Sequence, residues 1–214
     1  MTQPDPLLQW RAEFPTLASC TYLISNSLGA MPRGVYDKLH DYADTWATMG
    51  VRAWGTPYEG NPTWWEVKGA VGDKIAPLMG APAGSVLVHE NASIANAILL
   101  SGLDFSDTRR DKIVVSDMDF PSDIYSLQQM IPAHIKLHMV KTRDGISIDT
   151  DELLDAIDER TRLVSLSHVL FRSAYIMPAR AIVEKAFQQG SSDNPTVQIV
   201  RIDELPHGAA NEIF

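Results

Sequence analysis

Ile113-Val114-Val115-Ser116-Asp117-Met118-Asp119-Phe120-Pro121-Ser122-Asp123 is the stretch that decides the fold. Three β-branched residues in a row, with no polar alternation, form a short strand of the kind buried on both faces. Pro121 suits the first position of a helix, where its missing N–H costs nothing, so a helix is expected from there to about Met130. A buried strand that feeds at once into a helix is the opening of a βαβ unit.

The same alternation extends in both directions. Upstream, Val86-Leu87-Val88 predicts a short strand, followed by a helix from near Ser93. Downstream, Ile135, Leu137 and Met139 alternate as a strand, and Asp149 and Glu152 have capping-box spacing ahead of Leu153, Leu154 and Ile157. Leu163 to Val169 predicts a strand, Pro178 to Gln189 a helix closed by Gly190, and Val197 to Ile202 a last strand. Such a series implies an α/β fold, a mostly parallel sheet flanked by helices, with ligands at the carboxyl ends of the strands.

Ahead of it lies a helical front. Val35, Leu39, Tyr42, Trp46 and Met49 recur at helical spacing, predicting an amphipathic helix over about 33–49. Arg52 to Asn61, rich in Gly, Pro and aromatic residues, predicts an ordered loop. A second helix over about 64–79 carries Val67, Val71, Ile75 and Leu78 on one face, with Gly80 as its stop. The expected organisation is an N-terminal helical segment and loop (1–62), an α/β domain (63–190) and a last strand or unrelated tail (191–214).

Composition narrows the function. Of 214 residues, 45% are hydrophobic and 21% charged, as in ordinary globular proteins. The net charge of −9, from 18 basic and 27 acidic residues, argues against a nucleic-acid partner. The His residues are scattered without metal-ligand spacing, and the single cysteine, Cys20, fits a reducing compartment. The N-terminus has no secretory pattern and no stretch is apolar enough to span a bilayer, so the cytoplasm is the expected location.

Three constellations carry chemistry. Glu90-Asn91-Ala92-Ser93-Ile94-Ala95-Asn96 sets small polar residues at a helix start, where free N–H groups and the helix dipole favour an anion. Ser is equally a common N-cap with no ligand. Phe120-Pro121-Ser122-Asp123 sets an aromatic face, a hydroxyl and a carboxylate after a strand, or simply starts a helix. Ser165-Leu166-Ser167-His168 ends another strand. All three fall at the ligand edge of consecutive βαβ units.

These residues resemble the kynureninase family. Tyr22-Leu23-Ile24-Ser25-Asn26-Ser27-Leu28-Gly29 is similar to its N-S-L-G signature, with Pro32 following, and Arg52-Ala53-Trp54 to its Arg-x-Trp element. Gly72 to Ala81 resembles the helix before its phosphate loop, and Phe120-Pro121-Ser122-Asp123 its cofactor-stacking motif. The resemblance runs from about residue 14 to 190. It implies the fold-type-I large domain of a pyridoxal-5'-phosphate enzyme, in part only, and the hydrolysis of L-kynurenine to anthranilate and alanine. Ser93 and Ile94 would hold the cofactor phosphate, Phe120 would stack on the ring with Pro121, Ser122 and Asp123 beside it, and Ser167 would approach from the sheet. Asn26 and Ser27 would border the substrate. Asp203 would pair with the pyridinium nitrogen, His207 would lie nearby, and the family's homodimer would be the assembly.

The family's Schiff-base lysine has no counterpart in this resemblance. The seven lysines, Lys38, Lys68, Lys74, Lys112, Lys136, Lys141 and Lys185, all precede its expected place, so no catalytic lysine is assigned and a truncated chain, inactive by itself, is expected. A catalytically silent binding relative, or an epimerase- or desulfurase-like enzyme of the same cofactor group, stays open beside the hydrolase.

Overall fold

β1, Lys112–Ser116, forms the middle of a three-stranded parallel sheet of order β2-β1-β3, with β2 at Lys136–Val140 and β3 at Thr161–Val164. These come from a computed structural model that describes residues 5–25 and 27–188. Ile113, Val114 and Val115 are wholly buried, as the unbroken apolar run requires. Their side chains alternate between two cores. Val114 packs with Val140, Ile148, Leu153 and Ile157 on one face, while Ile113 and Val115 pack with Leu100, Ile124 and Leu127 on the other. Each such side chain contributes about 1.5–3 kcal/mol by leaving water.

Parallel strands need crossovers, and helices supply them. α3 (Ala92–Ser101) precedes β1, α4 (Pro121–Met130) joins β1 to β2, and α5 (Thr150–Asp155) joins β2 to β3. α6 (Ala179–Gln188) follows β3. α3 and α4 contribute Leu100, Ile124 and Leu127 to one core, and α5 contributes Leu153 to the other. The amino edge of the sheet is fixed by charge. Lys112 Nζ lies 2.8 Å from Asp158 Oδ2 and donates to the Ala156 carbonyl at 2.6 Å, and Arg160 donates two bonds to the Asp111 carboxylate at 2.9 and 2.8 Å.

Two expectations are corrected. Val86–Val88 forms no strand: no described strand lies beside it, and an extended segment without a ladder partner is not a sheet strand. Instead the Val86 carbonyl packs directly on Gly72, where an added Cβ would overlap its oxygen. The predicted strand Leu163–Val169 ends at Val164. Ser165 N–H still reaches the Val114 carbonyl at 2.9 Å, after which the chain leaves the ladder for an isolated bridge between Val169 and Ile176.

The chain divides into two compact units, Met1–Ala70 and Val71–Phe214, the boundary falling inside α2 (Val67–Ile75). α2 passes into a 3-10 turn, Ala76–Met79, stopped by Gly80 in the left-handed conformation (φ 62°). In the first unit, 3-10 turns at Pro6–Glu13 and Pro15–Ala18 precede α1, Val35–Met49. The predicted loop after α1 starts with another such turn, Gly50–Trp54, in which Arg52 donates to the Met49 and Thr48 carbonyls and so closes the end of α1. The apolar face of α1 is left open: Leu39, Tyr42 and Trp46 are 60, 52 and 63% exposed. Tyr42 stacks on Trp64 with ring centres 5.1 Å apart. The strand expected over Val197–Ile202, with Gln189 and Gly190 at the end of α6, lies outside the described residues.

Candidate functional site

The carboxyl ends of β1 and β3 lie side by side, and the helices that follow them pack into different cores, α4 through Ile124 and Leu127 and α6 through Ile182. From β1 the chain runs through Asp117-Met118-Asp119 into α4, and from β3 it runs on through Ser165-Leu166-Ser167. α3 starts beside them. Between the three lies a crevice of about 260 Å³, lined by Ala92, Ala95 and Asn96 of α3, by Asp119 and Asp123, and by Ser165 and Ser167, with Leu99, Ile124 and Leu127 among its apolar walls. Neighbouring strand ends with diverging connections are where open α/β sheets bind ligands.

The α3 side is set by its cap. Asn91 is in extended conformation, and its Oδ1 accepts the Ile94 N–H at 2.9 Å. The Asn91 carbonyl accepts the Ala95 N–H at 3.1 Å. The N–H groups of Ala92 and Ser93 therefore form the open positive end of the helix. Of the two amides expected at an anion, Ser93 is open and Ile94 is engaged by its own cap.

The β1 side is set by a turn. Asp119, 6% exposed, accepts the Ser116 N–H at 2.8 Å and the Ser167 N–H at 2.6 Å. One carboxylate thus joins the ends of β1 and β3. Burial lifts its pKa above the ordinary carboxylate value, against the pull of those two N–H groups. Asp123, in the first turn of α4, is also lifted, first by burial and then by the charge of Asp119. Pro121 occupies the first position of α4, the Ser122 carbonyl accepts the Ser126 hydroxyl, and the half-exposed Phe120 ring meets Phe171 edge-on at 5.0 Å.

The aminotransferase class-V family model matches residues 21–192. The chain belongs to the aminotransferase class-V family. It is 29% identical over 195 residues to the kynureninase of Geobacillus thermodenitrificans (strain NG80-2), covering 89% of this chain and 45% of that protein. It is 28% identical over 196 residues to the kynureninase of Burkholderia pseudomallei (strain K96243), with the same two shares. Among solved structures it resembles a lysine-to-alanine mutant of C-DES with glycine covalently linked to its PLP cofactor. The TM-score is 0.67 at 20% identity, over 87% of this chain and 46% of that one. The chain thus spans somewhat under half the length of the relatives it matches.

Within this class-V domain, α3, the start of α4 and the segment after β3 come together at one edge, each bringing a predicted constellation. The crevice walls are partly the neighbours of the predicted residues, Ala92 and Asn96 beside Ser93, and Asp119 beside Phe120. Ser27 lies in the other unit, in a turn closed by its N–H on the Ile24 carbonyl at 3.0 Å. Asn26, Asp203 and His207 lie outside the described residues. Asp119 was not singled out by sequence, since a carboxylate one residue before an aromatic carries no local sign that it will bridge two strands. No helix among the described residues is long and apolar enough to cross a membrane, and no group of His, Cys, Asp and Glu among them is placed to hold a metal.

Proposed function

We propose that the crevice is the pyridoxal-5'-phosphate site of a kynureninase-like hydrolase acting on the side-chain carbon–carbon bond of L-kynurenine. The observation that carries this is that Asp123 and Ser167 line one crevice together with Ala92 and Asp119, the immediate neighbours of Ser93 and Phe120, in a chain whose relatives include kynureninases. The donor set suits the cofactor. The open amides of Ala92 and Ser93, with the Ser93 hydroxyl, suit a phosphate dianion. Phe120 offers a ring face, and Ser167 and Asp123 offer a hydroxyl and a carboxyl group toward the ring's polar substituents. When bound, the cofactor supplies an electron sink for the substrate's α-carbon. This chain's residues bind it, orient it and shield one side of it with the apolar walls at Leu99 and Leu127.

The homodimer and the cytoplasmic location belong to the same proposal, supported by the kynureninase likeness. Asn26 and Ser27 are proposed substrate neighbours, and Asp203 and His207 proposed cofactor neighbours, on sequence similarity alone. None of the seven lysines lines the crevice. Lys112 is engaged at the opposite edge of the sheet, and Lys38 pairs with Asp41 in the other unit. That observation favours a second reading for these 214 residues taken by themselves, a cofactor-binding chain without turnover.

The test adds pyridoxal phosphate to purified chain, reduces with borohydride, and assays anthranilate release from kynurenine. Reversible cofactor binding without lysine labelling or anthranilate is expected. Stoichiometric labelling of one lysine with anthranilate release would support the hydrolase and overturn the second reading. Absence of any cofactor binding would overturn both.

A further inference from the structure

Asp119 sits at the junction of the two strand ends that frame the crevice. Its two carboxylate oxygens each take one backbone N–H, Oδ2 from Ser116 at the last residue of β1 and Oδ1 from Ser167 past the end of β3. The side chain is nearly enclosed and also lines the crevice. β3 has already left its ladder at Val164, and the last strand-like bond on this side is from Ser165 N–H to the Val114 carbonyl. Beyond that bond, the Asp119 carboxylate is the bridge that holds the Ser167 backbone to the β1 end. No residue type other than a carboxylate accepts two backbone N–H groups with two equivalent oxygens at this reach.

We infer that Asp119 is a positioning residue that sets Ser167 at the ring end of the crevice, apart from the phosphate end at α3. The inference deepens the cofactor reading and rests on it for its ligand, though the clamp itself is a property of the chain alone. Asp119 need not touch the cofactor. It acts by fixing where the Ser167 hydroxyl stands, while the open amides at Ala92 and Ser93 are held by a separate cap, Asn91. The two ends of the site are thereby built by two independent devices, and they are separable by experiment.

Asp119→Asn keeps shape and size but presents one N–H₂ to a backbone N–H, so one backbone bond is lost, and the side-chain bonds that Asp119 also takes from Ser116 and Ser167 lose their charged acceptor. Three readouts are taken on the 214-residue chain: amide hydrogen exchange at Ser167, affinity for pyridoxal phosphate, and affinity for inorganic phosphate. The expected result is faster exchange at Ser167, pyridoxal phosphate bound about tenfold more weakly, the loss appropriate to one charge-assisted bond, and inorganic phosphate unchanged. In a Ser167→Ala background the same substitution should cost no further affinity for pyridoxal phosphate, because it acts through that hydroxyl. A merely structural Asp119 would weaken both ligands together and add its effect in the Ser167→Ala background, or would leave both affinities unchanged; either outcome overturns the inference. If Asp119→Asn fails to fold, slow exchange of the Ser167 amide in the unsubstituted chain, with a through-bond NMR coupling to the Asp119 carboxyl carbon, supports the clamp, and fast exchange without coupling overturns it. If the unsubstituted chain binds no pyridoxal phosphate, the cofactor reading fails, and Ser167 exchange in Asp119→Asn alone decides for or against the clamp.

Discussion

Asn91 Oδ1 accepts the N–H of Ile94 at 2.9 Å, and this bond determines which amides at the start of α3 are left for an anion. Asn91→Ala removes the cap. Loss of about 1 kcal/mol of stability is expected, the usual cost of deleting an Asn cap, with faster hydrogen exchange at Ile94. Urea unfolding and amide exchange check both. An unchanged midpoint would mean that the cap contributes nothing to the fold.

Ala174 has a backbone φ of 58°, in the left-handed region, at the turn that brings Val169 opposite Ile176. Its N–H is nonetheless bonded to the Leu170 carbonyl at 2.8 Å, so the strained conformation is enforced by the turn. Ala174→Gly should relieve the Cβ clash at some cost in unfolded-chain entropy. A net gain of about 0.5–1 kcal/mol is expected in thermal or urea unfolding. Destabilisation would show that the turn is not under strain.

Gly72 faces the Val86 carbonyl so closely that a side chain would overlap it. The obstacle is backbone, which cannot swing aside. Gly72→Ala should therefore destabilise the α/β unit by about 1–3 kcal/mol, despite alanine's better helix propensity. A rise in the unfolding midpoint would contradict the close approach.

Much of this fold was legible in the sequence, and the failures have physical causes. Pro121 and the apolar run Ile113–Val115 are local signals, and α4 and β1 lie where those signals put them. Asp149 caps α5 on the Glu152 N–H as its spacing suggested, although the Glu152 carboxylate turns to Arg143 instead of completing the reciprocal bond. Val86–Val88 misled because a strand exists only with a partner, and its β-branched residues say nothing of whether one is present. Asp119 was unreadable for a similar reason: its two bonds are to residues 3 and 48 positions away, and only the assembled sheet brings them together. The α1 periodicity gives a helix, as found, but its apolar face is exposed, since spacing reports a face and not what covers it.

Burial, and then the charge of Asp119, lift Asp123 above the usual carboxylate range. A carboxyl group with a raised folded-state pKa contributes stability that is fully present below about pH 4 and lost as pH rises through the folded value. Asp123→Asn abolishes that loss, so the variant should gain on the unsubstituted chain between pH 4 and pH 7. Asp107 has the opposite sign. Its hydrogen bonds with Arg109 hold it down to about 2, so its contribution is present at neutral pH and lost as pH falls through that value. Asp107→Asn should cost stability at pH 7 and progressively less as pH falls from about 4 toward about 2. Urea unfolding of both variants across this range measures each sign, and a reversed trend in either would contradict the assigned cause.

The crevice at the carboxyl ends of β1 and β3 is the proposed seat of pyridoxal phosphate. The most direct measurement is a titration of the isotope-labelled 214-residue chain with pyridoxal phosphate, followed by amide chemical shifts. Saturable shifts concentrated at Ala92, Ser93, Asn96, Asp123 and Ser167 are expected, with inorganic phosphate reproducing only those at Ala92 and Ser93. Shifts confined to the unit Met1–Ala70, or none at all, would contradict it.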